Sequence, residues 1–82
     1  MALRGQSYKQ IKAVFVGTEY GKLILELAVG QQRVIVKDSA GIKLTLNRGD
    51  VADRDHPLIN ACREAPGNGF KNFVYALGEL DA

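Results

Sequence analysis

Cysteine occurs once in the 82 residues, at Cys62, and tryptophan does not occur at all. A lone cysteine excludes an internal disulfide, a redox CxxC pair and a cysteine-based zinc knuckle, and it suits a reducing cytoplasm. Histidine is as scarce, with His56 alone, so metal-ligand chemistry is thin and no cofactor is expected. An excess of one charge is missing too. Eleven basic and nine acidic residues leave a formal net charge of +2, too balanced to assign a nucleic-acid or membrane partner by bulk electrostatics. No apolar run approaches the roughly 20 residues that cross a bilayer. Met1-Ala2-Leu3-Arg4-Gly5-Gln6-Ser7 lacks the apolar stretch of a signal peptide. The expectation is a soluble, cytoplasmic protein with no membrane partner.

What is present is ordinary globular composition, 46% apolar and 24% charged, in a length that fills one core and no second domain. Small cores without disulfides or metals often rely on a second subunit. The polar residues 1–7 read as a flexible N-terminal arm, residues 8–78 as a single compact α+β domain, and 79–82 as a frayed end.

Apolar residues alternate over most of the first half. Ile11, Ala13 and Phe15 mark a strand over Lys9–Val16, followed by the turn signal Gly17-Thr18-Glu19-Tyr20-Gly21. Leu23, Leu25, Leu27 and Val29 mark a second strand. Arg33 to Lys37 holds Val34, Ile35 and Val36, whose branched β-carbons suit a pleated surface. Asp38-Ser39-Ala40-Gly41 is a hairpin connection into Ile42, Leu44 and Leu46. Four strands joined this tightly predict an antiparallel meander.

The period then changes. Leu58, Ala61, Cys62 and Ala65 fall at i, i+3, i+4 and i+7, predicting a helix over His56–Ala65 that opens at Pro57 and stops at Pro66-Gly67. Beyond Asn68-Gly69, the alternation of Phe73, Tyr75 and Leu77 with Val74 and Ala76 predicts a fifth strand over Phe70–Leu77. The expected order is β-β-β-β-α-β, mainly antiparallel. Either the helix covers one face of an open sheet, or the strands curl into a small SH3-like barrel with a helical insert. A helix of about three turns favours the open sheet.

Chemistry-bearing constellations are few. Asp50, Asp53, Asp55 and His56 cluster before the helix, but their order matches no EF-hand loop, and Asp53 and Asp55 are better explained as helix caps. His56 has no recognisable nucleophile, and no GxSxG elbow or phosphate loop is present. Cys62 on the apolar stripe reads as a buried, inert thiol. Arg48-Gly49-Asp50 spells the integrin tripeptide, yet without a secretion signal Gly49 reads as a turn residue. No enzymatic activity is expected.

Asn68-Gly69-Phe70-Lys71-Asn72-Phe73-Val74-Tyr75 resembles the RNP1 strand of RNA-recognition motifs over these eight residues. Asn68 replaces a basic residue and one extra residue separates Phe70 from Phe73, so the chain is not assigned to that family. The resemblance implies base stacking by Phe70 or Tyr75. Together with Arg33, Lys37, Lys43 and Lys71 for phosphates, it gives a nucleic-acid-binding alternative. The leading expectation is a non-enzymatic protein-interaction domain that forms a homo-oligomer or binds another protein. Several strands are apolar on both faces, more than one helix covers.

Overall fold

The computed structural model describes residues 10–28 and 30–80. The expected arm at 1–7 lies outside these residues. Four strands form one antiparallel sheet in sequence order: β1 (Gln10–Thr18), β2 (Gly21–Ala28), β3 (Arg33–Asp38) and β4 (Gly41–Asn47). A short 3₁₀ turn (Arg48–Asp50) leads to two helices, α1 (Pro57–Glu64) and α2 (Gly69–Leu80). The sheet is open, so the barrel alternative does not hold.

The meander follows the predicted alternation closely. Ala13, Leu25, Val36 and Leu44 stand opposite one another across the four strands, as do Phe15 and Leu23 on the first two. Phe15, Leu23, Leu25, Leu27, Val34, Val36 and Leu46 are buried on this inner face. Each such side chain removed from water contributes roughly 1.5–3 kcal/mol, and a one-residue slip in register would turn all of them outward. The first turn is tighter than expected. Glu19 and Tyr20 alone form it, while Gly17, at φ 76°, lies in a bulge between Phe15 and Thr18. At the β3–β4 turn the Asp38 carboxylate accepts from the Ala40 N–H at 2.7 Å, and Gly41 closes the hairpin at φ 129°.

α1 matches its prediction within a residue at each end. His56 is its N-cap, with Nδ1 accepting from the Leu58 N–H at 3.1 Å, and Pro57 opens the helix. Ala65 is extended at ψ 150°, as the residue before Pro66 must be. The buried face is Ile59, Ala61 and Cys62, whereas Leu58 and Ala65 are half-buried. The capping role assigned to Asp53 and Asp55 therefore belongs to His56.

The fifth strand is corrected outright: residues 69–80 form a helix. Phe73 and Leu77 are buried, Phe70 and Val74 half-buried, and Tyr75 is 69% exposed. Phe70, Phe73, Val74 and Leu77 follow i, i+3, i+4, i+7, and Phe73 with Leu77 fits both this period and the period of two. A strand would have put Tyr75 beside Phe73 and Leu77 in the core. Only the helix lets it face water. Of the end expected to fray, residues 79 and 80 continue α2, and 81 and 82 lie outside the described residues.

Both helices join one core with the inner sheet face, through Ile59, Cys62, Phe73 and Leu77, together with Val51 from the preceding loop. α2 runs along β1 and touches α1. Among the described residues, this leaves the outer face of the sheet without a covering helix.

Candidate interaction surface

Alternation fixes what the outer face carries. Val14, Ile24, Lys37 and Ile42 form one row across the four strands, and Lys12, Glu26, Ile35 and Thr45 form the next. Ile24 and Ile35 are half-buried by their neighbours, while Val14 is 52%, Val16 66% and Ile42 61% exposed. The Glu26 carboxylate organises the centre: Oε1 pairs with Lys37 Nζ at 2.7 Å, and Oε2 accepts from Gln10 Nε2 at 2.6 Å. A cross-strand pair of this kind contributes about 0.2–1 kcal/mol and fixes two long side chains. The face is thus aliphatic, ordered at its middle and net positive, since Lys12, Lys22, Arg33 and Lys37 oppose Glu26.

The residues considered for nucleic acid divide between two layers. Arg33 and Lys37 lie on the outer face of β3, and Lys43 lies at the β4 bulge opposite Val36 and Lys37. Phe70, Lys71 and Tyr75 lie on α2 in the helical layer. The segment that resembles an RNP1 strand is helical, so its aromatics do not form a strand-borne stacking platform. Phe70 is also occupied, because the Arg63 guanidinium sits 5.0 Å from its ring centroid.

Arg63 ties the chain before α1 to the helices. Its guanidinium donates to the carbonyls of Ala52 at 3.1 Å and Arg54 at 3.3 Å and to the Asn60 side chain, which in turn donates to Asp55 at 3.0 Å. Nothing in the sequence pattern marked Arg63 apart from its place in the last turn of a helix. The acidic cluster is correspondingly committed: Asp55 holds Asn60, and His56 caps α1. Among the described residues no three His, Cys, Asp or Glu side chains converge on a point that could hold a metal ion. Arg48-Gly49-Asp50 forms the 3₁₀ turn, with the Arg48 N–H donating to the Gln32 carbonyl at 3.0 Å, rather than an extended display loop.

No protein family, curated protein or solved structure matches the chain. The surface itself must therefore carry the functional reading.

Two further features bear on it. A groove of about 330 Å³ runs beside β1, between Ile11 and Ala13 on the strand and Gly69, Asn72, Phe73 and Ala76 on α2. Cys62 is buried, and desolvation pushes its thiol up to about 11 from an ordinary 9.0, which removes the thiolate that nucleophilic chemistry needs. Among the described residues no helix is long and apolar enough to cross a membrane.

Proposed function

We propose that the chain is a non-enzymatic protein-interaction domain that assembles with a second copy of itself, through aliphatic surface that its single small core leaves over. The observation that carries this reading is the exposure of Val14, Val16 and Ile42 on an outer sheet face over which neither helix lies. Their sheet-face neighbours Ile24 and Ile35 extend the same patch. Solvated sheet faces ordinarily alternate to polar residues, and contiguous aliphatic surface on a small domain marks a contact site.

Light scattering coupled to size exclusion tests it across micromolar concentrations. A dimer mass that falls on dilution is expected; monomer alone at every concentration would overturn the homo-oligomeric reading. Retarded migration of single-stranded RNA or DNA at physiological salt, lost on replacing Arg33 and Lys37, would instead favour nucleic acid.

A further inference from the structure

The chain has four asparagines, and their surroundings differ. Asn47 ends β4 opposite Arg33, and Asn72 lies inside α2. Asn60 lies inside α1, its amide donating to Asp55 and accepting from Arg63. Asn68 alone stands on irregular chain, in residues 65–68 between the helices, and it alone is followed by glycine.

Asn68 immediately precedes α2. Its carbonyl accepts from the Asn72 N–H at 2.8 Å, the bond that an N-cap residue makes. An N-cap asparagine ordinarily offers its side-chain oxygen to a further N–H of the first turn. Here it does not. The side chain is exposed, and among the described residues neither it nor the Gly69 N–H has a hydrogen-bond partner in the chain. An idle carboxamide therefore adjoins an idle backbone nitrogen, with no side chain on Gly69 to hinder their approach.

We propose that Asn68-Gly69 is a modification site of the folded chain, at which Asn68 deamidates through a cyclic succinimide. The Gly69 nitrogen attacks Asn68 Cγ and an N–Cγ bond forms. The Cγ–Nδ2 bond breaks, and ammonia leaves with the proton that the Gly69 nitrogen gives up. Water then opens the ring, and the nitrogen regains a proton. Hydrolysis at Cγ gives aspartate in the ordinary main chain. Hydrolysis at the Asn68 main-chain carbonyl carbon gives isoaspartate, whose main chain runs through Cβ and Cγ and is a methylene longer.

The two products act on α2 in opposite directions. Aspartate sets a negative charge and a strong acceptor at the positive end of the helix macrodipole. Isoaspartate moves the residue 68 carbonyl out of the main chain, which removes the acceptor of the Asn72 N–H. It also adds length where Gly69 lies so close to Phe15 that a β-carbon would stand 3.1 Å from Cε1. The site is apart from the outer sheet face, so its outcome is independent of the dimeric reading.

The test incubates the folded full chain at neutral and mildly alkaline pH and follows the tryptic peptide of residues 64–71 by mass spectrometry. Conversion at Asn68 to the heavier carboxyl form is expected to be at least about tenfold faster than at Asn47, Asn60 or Asn72. It should rise with pH, because the attacking nitrogen must shed its proton. Asn68→Gln, whose longer side chain would have to close a larger ring, is expected to lose it. Asn68→Asp should melt no lower than the wild type, and the isolated isoaspartyl form should melt below it. If Asn68 in the folded chain converts no faster than the other three, the proposal is overturned, even where the urea-unfolded chain does convert there. Equal melting of the two product forms would overturn their opposed effects on α2.

Discussion

Gly69, the first residue of α2, lies against the ring of Phe15 so closely that a β-carbon there would stand 3.1 Å from Phe15 Cε1. The contact sets how near the helix comes to β1, and hence the shape of the groove beside the strand. Phe15 is buried, so its ring has little room to yield. Gly69→Val is expected to destabilise the fold by about 1–3 kcal/mol through overpacking. Phe15→Leu in the same chain should restore part of that loss. Urea denaturation checks both, and additive destabilisation in the double variant would show that the two residues do not act on each other.

The meander was legible because its signal is redundant: Leu23, Leu25 and Leu27 alternate, and Val34 and Val36 repeat the pattern across the sheet. α2 was not legible in the same way. Phe73 and Leu77 satisfy both periods, and Tyr75 decides between them only once its exposure is known. Grouping Tyr75 with Phe73 and Leu77 gives a strand; grouping Phe70 and Val74 with them gives the helix. The outer aliphatic face is visible in part, since Val14 and Val16 alternate with Ala13 and Phe15, and Ile24 with Leu23 and Leu25. Which strands form the edges, and which of them α2 flanks, depends on long-range placement that local pattern does not contain. The Arg63 contacts are of the same kind, joining residues nine and eleven positions apart.

Arg63 holds the chain before α1 by hydrogen bonds to two carbonyls and by its position over Phe70. Arg63→Ala is expected to cost about 1–2 kcal/mol, toward the low end for charged hydrogen bonds because the side chain is exposed. Arg63→Lys should restore little, because a single ammonium cannot span both carbonyls and stack on the ring. Hydrogen exchange gives a local readout. The Arg54 N–H, bonded to the Asp50 carbonyl at 2.8 Å, should lose protection more than amides in β2 and β3.

His56 caps α1 through an imidazole nitrogen rather than the usual hydroxyl or carboxylate. Its Nδ1 must carry a lone pair to accept from the Leu58 N–H, which places the ring proton of the neutral form on Nε2. His56→Ala is expected to lose about 1 kcal/mol, and His56→Asn to lose little, since asparagine supplies an oxygen at the same position. Thermal denaturation of the two variants separates loss of the cap from loss of the ring. Equal destabilisation would mean that packing, not capping, is what His56 contributes.

Burial of Cys62 makes stability depend on pH in a defined window. Desolvation holds the folded thiol protonated up to about 11, whereas the unfolded thiol ionises near 9.0. Below pH 9 both states keep the proton, and stability from this group is fully present. Between pH 9 and 11 unfolding releases a proton, so stability falls as pH rises, by at most about 1.4 kcal/mol per pH unit. The comparison that isolates Cys62 is the Cys62→Ala variant. That variant should be less stable at pH 7 because a buried sulfur is lost, yet its stability should fall less steeply across the same window. The folded wild-type thiol should also react with alkylating reagents only as fast as the chain opens. Identical pH slopes in the two proteins would mean that Cys62 ionises in the folded state as readily as in the unfolded one.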